Sequence, residues 1–153
     1  MKHGTIVVAI DESDCSTLAL KEAIKLTQDL NAKLHAIHVI DETIFNQVDE
    51  YVEFDWLWNA HKEFGKKILE KAETQLSTAK IDFATHLIEL KPNEGRLAEK
   101  IVSTADSLRA DTLIIGTHGR KGFSRWFLGS VAEKVIRIAT MPVLLVREQK
   151  AKT

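Results

Sequence analysis

Cysteine is nearly absent from this chain: Cys15 is the one thiol among 153 residues, so no internal disulfide can form and the fold must rest on its core. No apolar run approaches the ~18 residues that a membrane-spanning helix needs, and Met1 to Ile10 lacks a signal-peptide pattern. These absences predict a cytoplasmic, reduced setting with no membrane partner. An excess of one charge sign is also missing. Acids and bases nearly cancel to a formal net charge of −1 without a long run of either, which argues against a nucleic-acid surface. Histidines are present, but no H-x3-H or C-x2-C spacing accompanies them, and a zinc site is rejected.

What is present is ample apolar content, 44% of the residues, which suits one core and one domain over residues 1–153. Thr5 to Ile10, TIVVAI, is a β-branched run of strand length that Asp11-Glu12-Ser13-Asp14 breaks. Leu18, Ala19, Ala23, Ile24, Thr27 and Leu30 mark one face of a helix ending near Asn31. Lys33 to Ile40 returns to strand character. Asp41 to Asp55 is acidic and aromatic without a clean period and reads as a long loop with a short helical piece.

From Leu57 through Ala60, Phe64, Ile68, Ala72 and Leu76 to Ala79 the spacing predicts a long second helix, inside which Gly65 costs about 1 kcal/mol against alanine. Asp82 to Leu90 is a third strand, and Pro92-Asn93-Glu94-Gly95 turns the chain into a helix with Leu97, Ala98, Ile101, Ala105 and Leu108 inward. Thr112 to Ile115 is a fourth strand. A fourth helix starts near Gly129 with Val131, Ala132, Val135, Ile136 and Ala139 on one face, and Ser130 with Glu133 matches the S-x-x-E capping box. Pro142 to Val146 closes the chain as a fifth strand. Strict β-α alternation of this kind demands a parallel sheet with helices on both faces.

Between the fourth strand and the last helix lies a loop with Gly116, Gly119, Gly122 and Gly129, with Arg120, Lys121 and Arg125 and with no acid. Glycines admit close backbone approach, and the amides at a helix N-terminus are unpaired donors at the positive end of its dipole. Such a loop suits phosphate. It matches neither G-x-G-x-x-G nor G-x-x-x-x-G-K-[ST]. His118 can offer a hydrogen bond and Arg120 a charged fork, although loop positions of both kinds also stay solvated.

The spacing Gly116-x2-Gly119-x9-Gly129-Ser130 resembles the nucleotide-binding signature of the universal stress protein family, and VVAIDESDCS, LGSVAEKV and MPVLLV follow in that family's order. The resemblance implies a single open five-stranded parallel sheet of order 3-2-1-4-5, Rossmann-like and similar to the adenine nucleotide alpha hydrolase folds. It implies ATP or another adenine nucleotide as ligand, with Mg²⁺. Gly116, Gly119, Gly129 and Ser130 would contact the triphosphate, with Val131 also at the site; Thr117, His118 and Arg120 of the same loop are counted as candidates beside them. Asp11 would meet the ribose or adenine, or merely start the turn. Val39 and Ile40 would line the adenine pocket, although core packing explains them equally well. A nucleotide-carried Mg²⁺ could reach Asp11 or Asp41. Some members of the family are phosphorylated on Ser or Thr, which makes Ser124 a candidate. Cys15 reads first as a small residue in a helix's first turn, with raised thiol reactivity as the alternative.

The expected function is therefore a nucleotide-sensing module of the stress response with at most slow ATP hydrolysis and no assigned catalytic residue. The alternatives are a nucleotide-dependent hydrolase or nucleotidyl-transferase on the same scaffold, and a partner-binding protein indifferent to nucleotide. An apolar fifth strand at a sheet edge is a liability that self-pairing removes, and the resemblance implies a homodimer through Pro142 to Arg147. Leu144→Lys or Val146→Lys is expected to give a monomer by light scattering, and an unchanged dimer would refute that interface.

Overall fold

A computed structural model describes residues 4–43, 54–118 and 128–148. Strand β1 (Thr5–Ala9) leads to helix α1 (Asp14–Leu30), then β2 (Lys33–Asp41), α2 (Phe54–Thr78), β3 (Asp82–Leu90), α3 (Leu97–Ser107), β4 (Thr112–Gly116), α4 (Ser130–Ile138) and β5 (Val143–Val146). The strands form one parallel sheet of order β3-β2-β1-β4-β5.

Central β1 is buried on both faces, as a parallel strand between two helical layers must be. Ile6 and Val8 face the layer of α1 and α2, where Ala19, Leu20, Ala23, Leu69, Ala72 and Leu76 pack. Val7 faces the layer of α3 and α4, with Ala98, Ile101, Ala105 and Val135. Ser13 caps α1 by accepting from the Ser16 N–H at 3.1 Å, and Asn31 ends it at φ 51°, a left-handed conformation asparagine tolerates.

Several local expectations are corrected. Asp41 completes β2 rather than opening a loop, and Phe54 and Asp55 already belong to α2; the rest of the expected loop, with Phe45 and Tyr51, lies outside the described residues. Leu30, Phe64 and Ile136 carry helical periodicity yet stand exposed, because each lies at the margin of its helix's buried stripe. The Ser130 capping box does not form. Gly129 is the N-cap, Ser130 is already the first helical residue, and the Glu133 carboxylate accepts from Arg137 at 2.8 Å instead. On β5, Leu144 is 40% exposed whereas Val146 is buried in the core, so Leu144 alone probes the edge.

Gly65 is not a tolerated defect but a packing requirement. A Cβ there would lie 2.9 Å from Leu87 Cδ1, 3.0 Å from Ile40 Cγ2 and 3.2 Å from His38 Cδ2. Helix α2 thus lies closer to β2 and β3 than any side chain allows, and the helix-propensity gain of alanine is outweighed by overpacking. Gly65→Ala is expected to lower stability by about 1–3 kcal/mol in urea denaturation.

Where β2 and β3 pair, His35 Nδ1 lies 2.8 Å from His86 Nε2, with the rings inclined by 23°. Partial burial holds both imidazoles below their ordinary pKa. For His35 the neighbouring His86 and then Lys33 add to this while Asp82 opposes; for His86, Lys33 adds. Because the folded state resists protonation, the unfolded chain binds more protons below about pH 6.5. Stability is therefore full above that pH and falls as the pH drops through it. Urea midpoints at pH 8 and pH 5.5 should differ more in the wild type than in a His35→Asn, His86→Asn double variant.

Candidate functional site

Strands β1 and β4 are neighbours, with Ile6 beside Thr112 and Val8 beside Ile114, yet the helices that follow them pack on opposite faces of the sheet. Their carboxyl ends therefore diverge, and a crevice opens at this reversal of strand order. A cleft of about 400 Å³ occupies the place.

The turn after β1 forms its floor. Asp11 Oδ1 accepts the Ser13 N–H at 2.7 Å, and the Asp11 N–H donates to Ser16 Oγ at 2.7 Å. One carboxylate oxygen is thus used by the turn, and the other has no partner among the described residues. At the end of β4 the backbone of Thr117 is held from both sides: its N–H donates to the Val146 carbonyl at 2.9 Å, and its own carbonyl accepts from the Gly129 N–H at 2.7 Å. Ser13 Oγ reaches the His118 carbonyl at 3.5 Å and ties the two walls together.

The described glycines answer to protein neighbours. A Cβ on Gly116 would come within 2.9 Å of Cys15 Cβ, and one on Gly129 within 2.8 Å of the Thr117 carbonyl oxygen. Neither has a positive φ. They let the starts of α1 and α4 close against the end of β4, and this closeness shapes the cleft.

The first intrahelical bond of α4 runs from the Glu133 N–H to the Gly129 carbonyl at 2.9 Å. The N–H groups of Ser130, Val131 and Ala132 therefore precede the helical ladder, and all three residues line the cleft. They bring the positive end of the α4 dipole with them. Beside them, His118 Nδ1 lies 3.0 Å from Thr117 Oγ1, while His118 Nε2 is buried without a hydrogen-bond partner among the described residues. A buried nitrogen left so costs about 1–3 kcal/mol, which a ligand bringing the missing partner would relieve. The cleft is also lined by apolar Ile37, Val39, Leu97, Ile101, Ile115 and Val131, suited to a flat hydrophobic ring.

Of the residues singled out in the sequence, Asp11, Val39, Gly116, Thr117, His118, Gly129, Ser130 and Val131 meet at this one cleft. Ile40 does not. Successive strand residues face opposite ways, and its side chain is buried beneath α2 against Gly65. Gly119, Arg120, Lys121, Gly122, Ser124 and Arg125 lie outside the described residues. Sequence reasoning missed His38 and His61 at the site. His38 Nδ1 lies 2.7 Å from the Ile10 carbonyl, which can only accept, so that nitrogen carries a proton. Its strand context hid it, since the signal is its position beside the end of β1 in the sheet. Asp41 also lines the cleft, with Oδ1 accepting from the Thr43 N–H at 2.9 Å.

No lysine or arginine is among the described residues lining the cleft, whose donors are backbone amides, hydroxyls and imidazoles. Among the described residues no group of three or more His, Cys, Asp or Glu side chains is arranged to hold a metal ion by itself. No helix among them is long and apolar enough to cross a membrane.

The model of the universal stress protein family matches residues 2–147. A universal stress protein of Methanocaldococcus jannaschii is 34% identical over 97% of this chain and 84% of its own length. The crystal structure of a protein from that family in Burkholderia pseudomallei superposes with a TM-score of 0.77 at 28% identity, covering 94% of this chain and 96% of the other. A universal stress protein solved in complex with cAMP superposes with a TM-score of 0.68 at 26% identity, covering 96% and 98%.

Proposed function

The chain belongs to the universal stress protein family, and on that footing we propose that it is an adenine-nucleotide-binding module of the cytoplasm, a homodimer that senses ATP with Mg²⁺ and hydrolyses it slowly at most. The observation that carries this reading is the buried, unpartnered His118 Nε2 beside the first-turn amides of α4. Every group there donates or can donate, and phosphate oxygens are the acceptors that such a set fits. The relative bound to cAMP supports an adenine nucleotide as the class.

The apolar wall at Val39 takes the base, and the free oxygen of Asp11 accepts from ribose hydroxyls. Residues Gly129 to Ala132 and His118 take the phosphates, with the Ser130 hydroxyl released for this by the missing capping box. Bound Mg²⁺ would neutralise phosphate charge; of the described carboxylates lining the cleft, which also include Glu12, Asp11 and Asp41 are the two that could serve it. Each already spends one oxygen on its own turn, and neither is set up as a base for water. That supports binding without rapid turnover. The exposed Leu144 on edge strand β5 supports the dimer.

Calorimetric titration of ATP with Mg²⁺ into nucleotide-stripped protein tests the reading, with released phosphate followed in the same sample. Micromolar binding without steady phosphate release is expected, weakened about tenfold or more by His118→Ala, the loss proper to a hydrogen bond with a charged acceptor. Stripped wild type that takes up no nucleotide would overturn it, and steady turnover would favour the hydrolase alternative.

A further inference from the structure

Helix α2 continues past the sheet it packs on. Trp58, His61, Gly65, Leu69, Ala72 and Leu76 follow one another at spacings of three and four and so share one face of the helix. From Gly65 onward this stripe is buried, with Leu69, Ala72 and Leu76 in the core beside Leu34 and Ala36 of β2. Gly65 lies against His38 and Ile40, close to the carboxyl end of that strand. Lys62 Nζ lies 3.7 Å from Glu89 Oε1, and Glu89 is paired beside Ile40. The helix therefore runs back from the end of β2 toward its start. His61 stands one turn, about 5.4 Å, before Gly65 on the same face, and so reaches beyond the end of the strand. It is the one α2 residue among the described residues lining the cleft.

The stripe changes character at this point. Over the sheet it is small and aliphatic, and beyond the sheet it carries rings. The ring centre of Trp58 lies 6.2 Å from that of His61, with the planes inclined by 40°, and Phe54 stacks on Trp58 at 6.4 Å and 10°. The half-buried imidazole is thus the cleft end of an aromatic row. The cleft in turn draws on both helical layers: Leu97 and Ile101 reach it from α3 on one face of the sheet, and His61 reaches it from α2 on the other.

We propose that His61 is a specificity-determining residue that covers the base of the bound nucleotide with the face of its imidazole, so that the cleft holds base-bearing ligands in preference to bare polyphosphate. A flat ring seated beyond Val39 has the apolar side chains of α3 on one side and His61 on the other, and nucleobases stack on histidine as they do on other aromatic side chains. The presence of a nucleotide rests on the reading above. The contribution of His61 is separable from it, because the phosphates are held at the start of α4.

Calorimetry of nucleotide-stripped protein with ATP and with inorganic triphosphate, each with Mg²⁺, measures the two contributions apart. His61→Ala is expected to weaken ATP about tenfold, the worth of one stacked base, and to leave triphosphate affinity where it was. His61→Phe keeps a flat ring and should recover most of the loss. In ¹H NMR the ring signals of His61, assigned by their loss in His61→Phe, should move upfield with ATP and stay in place with triphosphate. Unmoved signals at saturating ATP overturn the proposal. So does a His61→Ala protein that loses both ligands equally or loses neither, and so does a His61→Phe protein as weak as His61→Ala. Should His61→Ala fail to fold, the wild-type spectra still decide. Wild type that binds triphosphate as tightly as ATP overturns the role of His61 and leaves the phosphate seat standing, whereas uptake of neither ligand removes the nucleotide reading and this one together.

Discussion

The backbone of one residue, Thr117, joins the parts of the molecule on which the cleft depends. Its N–H is bonded to β5 and its carbonyl to the N-cap of α4, so the chain leaving β4 and the chain entering α4 are locked together. Thr117 is itself buried, and losing either bond would leave one of its backbone groups unpaired, which is costly. Gly129 is small because it must sit against that carbonyl, and Gly116 is small because α1 begins directly above it. The crevice between β1 and β4 is what remains after these contacts are made.

Electrostatically the cleft is unlike a surface anion site. Its described lining lacks ammonium and guanidinium groups and offers instead peptide dipoles and the imidazoles of His38, His61 and His118. Fixed dipoles need no counter-ion and undergo little rearrangement when a charged ligand arrives. Asp11 and Asp41 each spend one carboxylate oxygen on their own turns, on the Ser13 N–H and the Thr43 N–H.

Most of the architecture could be read from the chain, because a buried parallel strand and an amphipathic helix have different periods. The limits expected for the third strand, Asp82 and Leu90, are those of β3, and the left-handed end of α1 at Asn31 followed from residue type alone. What escaped depended on which face a residue takes once neighbours are known. Val39 and Ile40 are indistinguishable in a run of apolar residues, yet one reaches the cleft and the other lies under Gly65. The Ser130 motif was genuine as a pattern but stood one residue too late, since the helix begins at Ser130 itself. His38 and the unpartnered nitrogen of His118 are products of tertiary contact, and no local signal announces them.

The two packed glycines carry one further meaning. Since Gly116 and Gly129 are small on account of protein atoms, the described walls of the cleft are already in place before anything enters. A ligand arriving there spends little of its interaction energy on ordering those walls, and mutations within them would alter how long it stays more than how quickly it is captured. A protein that must report a rise or fall in concentration gains from such a site, because its occupancy follows the solution without waiting for the chain to fold around each guest.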